Sequence, residues 1–294
     1  MPDAAAATAA TKKALVAELS CQFEAAGLPQ PNDDARTLVC GLLNISLTDL
    51  VLDRGEPLNP AQTERVRSAA ARRLRREPVH RILGSRSFFG LDLELSPETL
   101  EPRPDTETLV SAVLPFVRAL AVERGRCRVL DIGTGSGAVC LALLAEVGSA
   151  TGTGTDISRE ALGTARDNAR RAGLSERFDT CEAAWFAGVE GVFDLIVSNP
   201  PYIPSGDIAG LEPEVRDFDP VIALDGGADG LDAYRAIAVG ADVHLAPGGR
   251  VAVETGFSQH AAVTGIFEAN RFPCIDGVKD LAGNDRVLIF AKPG

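Results

Sequence analysis

The stretch VLDIGTGSGAVC, Val129 to Cys140, decides the fold. An apolar run closes on Asp131 and Ile132, three glycines follow at 133, 135 and 137, and an apolar segment resumes at Ala138. This reads as a buried strand that turns through a glycine loop into a helix. Such a loop lets a ligand approach the backbone closely and points the N–H groups of the helix start towards it. Taken alone, the pattern also fits the dinucleotide fingerprint G-x-G-x-x-A through Gly133, Gly135 and Ala138. Two flanking acids narrow the choice. Asp131 stands where a carboxylate would repel a pyrophosphate and attract an ammonium or sulfonium group. Asp156 ends the next strand about twenty residues on, where a carboxylate can accept both hydroxyls of a ribose. A ribose, a positive charge and no phosphate together indicate S-adenosylmethionine.

Outward from this loop, strands alternate with helices. Helical DTETLVSAVLPFVRALAVE precedes CRVLDIG; AVCLALLAEVG, TGTGTDIS and REALGTARDNARRAG follow. A weaker strand near Phe178 to Cys181 comes before FDLIVSNPP, and GGRVAVETG and DRVLIFAKP supply later strands. The expected fold class is α/β, a parallel sheet with helices on both faces. Before it, from Lys13 to about Gly84, apolar residues recur at helical spacing in ALVAELSCQFEAAGL and DDARTLVCGLLN. GLPQPND combines Gly27, prolines and an Asp cap, and LNPAQTERV places Asn59 at an N-cap with Pro60 at the first helical position. A small bundle of four or five helices is predicted. Between the two parts, Phe89, Leu91, Leu93 and Leu95 alternate around Gly90, the pattern of a β-hairpin.

A second motif, IVSNPPYI from Ile196 to Ile203, ends a strand in an amide, two prolines and an aromatic. Consecutive prolines remove two donors and fix two φ angles, so the segment is stiff and cannot extend a ladder. The Asn199 carbonyl and the carbonyl of Pro200 then form a rigid pair of acceptors, suited to the two hydrogens of a planar NH2, with Tyr202 offering a face to a planar group. Holding a substrate amide or exocyclic amine in line with a methyl donor is a proximity effect and requires no strong base. Trp185, the one tryptophan, lies after the third strand of the run and fits either an adenine contact or core packing.

Net charge is −12, unevenly spread: twelve basic against ten acidic residues in 1–90, and 17 against 31 afterwards. The acidic part argues against a broad nucleic-acid surface, which needs clustered cations. In the basic part, Arg65, Arg67, Arg72, Arg73, Arg75, Arg76 and Arg81 face the single acid Glu77, a pattern that fits a solvated helix face or a contact with RNA or an acidic protein. Six cysteines without a C-x-x-C pair read as reduced thiols, and His80, His244 and His260 lack metal spacing. No apolar run has membrane-spanning length, and the N-terminus lacks the order of a secretory signal. These features fit a cytoplasmic protein without a metal; the first dozen residues read as a disordered tail.

Together with EPRPDTETLV, LEPEV, ALDGGADGLDAYR, ETGFSQ and AGNDRV, the two motifs resemble class I S-adenosylmethionine-dependent methyltransferases with a Rossmann-like sheet. Among these, the chain resembles the PrmC/HemK family, the protein-(glutamine-N5) methyltransferases of peptide chain release factors, over nearly its whole length. The resemblance implies an N-terminal helical substrate-binding domain over 1–84, a hairpin linker over 85–104 and a methyltransferase domain over 105–294. It implies methylation of the glutamine of the GGQ motif in bacterial-type release factors, modulating translation termination, with S-adenosylhomocysteine as product. Asp131, Gly133, Thr134, Gly135, Ser136, Gly137, Asp156, Ile157, Trp185 and Asn199 would line the cofactor site. Asn199, Pro200, Pro201 and Tyr202 would hold the glutamine, with Asn199, Pro200 and Tyr202 at the reaction centre. Two rivals use the same residues: a nucleic-acid amino-methyltransferase acting on a flipped base, and a silent adaptor that binds the cofactor without transfer.

Overall fold

The computed structural model describes residues 10–292, divided after Gly84 into two units. Of the tail expected over the first dozen residues, 1–9 lie outside the described part. Lys12 already belongs to a helix, because the Thr11 side chain accepts from the Ala14 N–H and caps it.

The first unit is helical: α1 (Lys12–Ala25), α2 (Pro31–Leu43), α3 (Leu47–Val51), α4 (Pro60–Leu74) and α5 (Val79–Leu83). Its core gathers Leu15, Leu19, Phe23, Leu38 and Val66. The predicted start of α4 is present in full. Asn59 Oδ1 accepts from the Gln62 N–H at 2.8 Å while Gln62 Oε1 accepts from the Asn59 N–H at 3.1 Å, a reciprocal cap that contributes about 1 kcal/mol. The start of α2 differs from expectation. Gln30 is the N-cap without a side-chain bond, since Pro31 fits the first helical position, and Asp33 and Asp34 fall in the first turn instead. Asp34 has a second task there, accepting from Arg73 at 2.7 Å. The arginine-rich α4 is therefore not a uniformly solvated face: Arg73 is 4 % exposed, and Arg67 and Arg72 pair with Glu18 and Glu77.

The second unit opens with a hairpin, β1 (Ser85–Phe88) and β2 (Leu91–Glu94). Phe89 and Gly90 both have positive φ, 47° and 81°, the backbone of a tight two-residue turn. Phe88 and Leu93 are buried in the sheet unit's core, and Asn168 clamps the Glu94 backbone through two hydrogen bonds of 2.7 and 3.1 Å. The hairpin is thus packed into this unit.

After α6 (Glu107–Arg124) come β3 (Cys127–Ile132), α7 (Ala138–Glu146), β4 (Ala150–Asp156), α8 (Arg159–Arg171), β5 (Phe178–Glu182) and β6 (Phe193–Ser198). A short α9 (Pro213–Arg216), then α10 (Asp232–His244), β7 (Leu245–Glu254), α11 (His260–Ala269), β8 (Cys274–Lys279) and β9 (Asp285–Ala291) complete the chain. The seven-stranded sheet has the order β5-β4-β3-β6-β7-β9-β8. All pairs are parallel except those made by β9, which runs antiparallel to both β7 and β8. The sequence reading missed β8, whose CIDGVK carries two charges and a glycine rather than an apolar run.

Strands β3 and β6 are adjacent and parallel, yet successive strands depart from them in opposite directions. Ligands bind at the carboxyl edge of such a switch point. Both sequence motifs leave the sheet there, and Ser198 ties the two strand ends by donating to the Ile132 carbonyl at 2.7 Å.

Candidate functional site

Glycine sets the first loop. Gly133, Gly135 and Gly137 have φ of 70°, 54° and 84°, a left-handed backbone that costs other residues about 1 kcal/mol or more. At Gly137 the space is closed as well, since a Cβ would meet Leu141 Cδ1 at 2.9 Å. Asp131 and Asp156 hold the loop from either side. The Asp131 Oδ2 accepts from the Thr134 hydroxyl at 2.8 Å and from the Cys140 N–H at 3.3 Å, so it also caps the first turn of α7. Asp131 is 2 % exposed, and burial pushes its pKa up to about 6 against the pull of those two donors. Asp156 accepts from the Gly135 N–H at 3.0 Å and from the Ser158 N–H at 2.9 Å. Each of its oxygens keeps a lone pair for a ligand.

The second loop is held by its neighbours. Gln259 Nε2 donates to the Tyr202 carbonyl at 2.9 Å and the Gly230 carbonyl at 3.2 Å, while its Oε1 accepts from the Gly256 N–H. The Ile203 N–H donates to Leu224, and the Gly226 N–H to Ile203. Packing is so close that a Cβ on Gly226 would lie 2.8 Å from the Pro201 carbonyl oxygen. Asn199 Nδ2 donates to the Thr106 hydroxyl at 3.1 Å. Among the described residues, nothing donates to Asn199 Oδ1 or to the Pro200 carbonyl.

Between the loops lies a cavity of about 260 Å³. Asp131, Gly133, Thr134, Gly135, Ser136, Asp156, Ile157, Trp185 and Asn199, expected at the cofactor, line it together with Pro201, expected at the substrate. Gly137 does not: it shapes the helix entry instead. Pro200 is buried and is not among the residues that line the cavity. Tyr202 lines neither this cavity nor the shallower hollow beside it. Its ring packs on the core containing Tyr234, Ile196 and Val253, where burial pushes the phenol up to about 12. The Tyr202 ring anticipated as substrate-facing is half-buried against this core. Trp185 packs against that core while also lining the cavity, with a backbone φ of 59° that marks a constrained position.

Residues without an assigned role also contribute. Glu98, Leu100, Pro102 and Thr106 come from the segment before α6, and Ile222, Ala223 and Asp225 from the segment after α9. Arg103 joins these segments through Asp219 at 2.6 Å. Of these, Pro102 and Thr106 lie in EPRPDTETLV and Ala223 and Asp225 in ALDGGADGLDAYR, whereas Glu98, Leu100 and Ile222 lie outside both motifs. None of the residues lining the cavity is cationic, and three are Asp: 131, 156 and 225. Among the described residues no cluster of His, Cys, Asp or Glu is fit to hold a metal ion, and all six cysteines are free.

Comparison with known proteins agrees with this architecture. The family description "PrmC N-terminal domain" matches residues 14–84, and "Methyltransferase small domain" matches residues 111–209. A release factor glutamine methyltransferase of Agrobacterium fabrum is 51% identical over 271 residues, 92% of this chain and 94% of its own. Another from Rhodospirillum rubrum is 47% identical over 92% of this chain and 82% of its own. Among solved structures, a methyltransferase from Pyrococcus furiosus shares the fold at a TM-score of 0.52 and 22% identity, over 80% of this chain and 100% of that one. With this identity maintained across both units, the chain belongs to the release factor glutamine methyltransferase family.

Proposed function

We propose that this protein transfers a methyl group from S-adenosylmethionine to the side-chain amide nitrogen of the glutamine in the GGQ motif of bacterial-type release factors. The observation that carries the reading is the pair of unclaimed acceptors, Asn199 Oδ1 and the Pro200 carbonyl, on a loop braced beside the glycine loop. Two fixed acceptors match the two hydrogens of one amide NH2. By accepting both, they would hold the nitrogen in one plane and direction and raise its electron density, which places the reacting atom at little cost in entropy.

The cavity fits the cofactor. Its lining offers carboxylates and no cation, which suits a positively charged, ribose-bearing ligand and opposes a pyrophosphate. Asp156 would accept the ribose hydroxyls, Ile157 and Trp185 would flank the adenine, and Asp131 with residues 133–136 would face the methionine portion. When bound, S-adenosylmethionine supplies an electrophilic methyl on a sulfonium centre. The same lining disfavours a polyanionic nucleic-acid substrate. Among the described residues, no helix is long and apolar enough to cross a membrane. A release factor substrate implies work in the cytoplasm, and the helices of the first unit would contribute to docking it.

Mass spectrometry tests the reading. An unmethylated release factor is incubated with this protein and S-adenosylmethionine, then digested to release the GGQ peptide. One added methyl on that glutamine is expected. An unmodified peptide, with cofactor binding demonstrated in parallel, would refute the substrate and redirect attention to RNA or other protein amides.

A further inference from the structure

An asparagine can present either its oxygen or its NH2 to a ligand, and only the oxygen suits a substrate amide that must donate both hydrogens. Something must choose. In this structure Asn199 Nδ2 donates to Thr106 Oγ1 at 3.1 Å, across 93 residues of sequence, which turns the amide oxygen the other way. A hydroxyl carries one proton, however, and it accepts from Asn199 only when that proton points elsewhere. Thr106 in turn interacts with Glu254, the last residue of β7, which is 1 % exposed and whose Oε2 has no hydrogen-bond partner. Thr106 is itself 3 % exposed.

We infer that Thr106 is a positioning residue for methyl transfer, and that Glu254 acts through it: the carboxylate draws the Thr106 proton, which leaves the hydroxyl oxygen to accept from Asn199 and aims Asn199 Oδ1 at the substrate amide. The inference rests on the release factor reading and adds to it a relay of three side chains. No covalent bond changes in it; only the direction of two hydrogen bonds is set.

The surroundings of Glu254 are mixed in charge. Arg103 and Asp105 face it from the segment before α6, Arg286 from β9, Tyr202 from the loop after β6 and Tyr234 from α10. Arg286 is shared with Asp105 at 3.3 Å and Asp280 at 3.0 Å, so its charge is not given to Glu254 alone. Burial is the largest influence and pushes Glu254 up to about 7, while Thr106 and the arginines pull it down. Above that pH the carboxylate accepts and the relay points as described. Below it, a protonated Glu254 competes to donate to the Thr106 oxygen, and the preference of Asn199 for its productive orientation is lost.

The test measures kcat, release factor KM and cofactor affinity for the parent, Thr106→Val, Thr106→Ser and Glu254→Gln, with melting temperatures to confirm folding. Thr106→Val keeps the shape and removes the acceptor. It should lower kcat about tenfold to a hundredfold with cofactor affinity within about threefold of the parent, and Thr106→Ser should recover most of the loss. The acid limb of kcat near pH 7 in the parent should be displaced in Glu254→Gln, which has no proton to take up. A folded Thr106→Val with parental kcat, a Thr106→Ser no better than Val, or an acid limb unmoved in Glu254→Gln would overturn the relay. A parent that methylates no release factor would overturn the functional reading and the relay with it.

Discussion

The loop after β3 carries three glycines with left-handed backbones, whereas the loop after the adjacent β6 carries two consecutive prolines. Glycine brings the backbone, with its N–H donors, close to a ligand and to the start of a helix. Proline removes donors and leaves carbonyls, so the second loop offers free acceptors at Asn199 Oδ1 and the Pro200 carbonyl. The acids flanking the glycines are spent partly on holding their own loop, through Thr134, Cys140, Gly135 and Ser158. On the proline side the bracing comes from elsewhere in the chain, from Gln259, Leu224 and Thr106, and the acceptors stay unclaimed. On the proposed reading, the contrast teaches that two neighbouring strand ends divide the task by composition, one to hold a cofactor and the other a substrate amide.

If that division is correct, damage to each loop should appear in a different measurement. The largest effect belongs to Asn199→Ala, which should reduce transfer to a release factor by about a hundredfold or more while cofactor affinity, read by calorimetry, changes little. Transfer at a near-parental rate would dissolve the distinction between the loops. Asp156→Ala should do the reverse in kind, weakening cofactor binding about tenfold to a hundredfold through the loss of hydrogen bonds to a charged acceptor. Its kcat at saturating cofactor should fall much less. Gly137→Ala should cost roughly 1–3 kcal/mol of stability, because the residue stays at φ 84° and its Cβ meets Leu141. Chemical denaturation reads that loss directly.

Two smaller effects depend on pH. Asp131, raised to about 6 mainly by burial, is ionised above that value and attracts a cation there. S-adenosylmethionine affinity should therefore fall by about threefold to tenfold from pH 7 to pH 5. S-adenosylhomocysteine, which lacks the sulfonium charge, should be less affected. For Glu254 the folded pKa of about 7 lies above the ordinary 4.5, so its contribution to stability is fully present below 4.5 and is lost as pH rises through 7. Glu254→Gln escapes that loss. Its melting temperature should gain on the parent's across this window, by about a few degrees at pH 8.

Much of this site is written locally. A glycine loop between a strand and a helix, an acid at each strand end, and Asn-Pro-Pro after a strand all act through neighbours within a few residues, so their pattern is visible without the fold. Asn59 and Pro60 at the start of α4 are legible for the same reason. What escaped is non-local. Thr106 reads as one polar residue near the start of an amphipathic helix until the fold sets it against Asn199. Glu254 reads as a charged strand end, although β9 and the loop after β6 bury it. Tyr202 reads as a surface for the substrate, and only the fold shows that its half-buried ring also packs against the core that contains Tyr234. Arg73 likewise looked solvated until Asp34, 39 residues away, was found to pair with it.

The most direct test is a crystal structure of this protein with S-adenosylhomocysteine and a GGQ-containing release factor or loop peptide. The account predicts that both hydrogens of the glutamine amide are donated, one to Asn199 Oδ1 and one to the Pro200 carbonyl, at heavy-atom distances of about 2.7–3.2 Å. A glutamine seated with its amide nitrogen touching neither acceptor would contradict it.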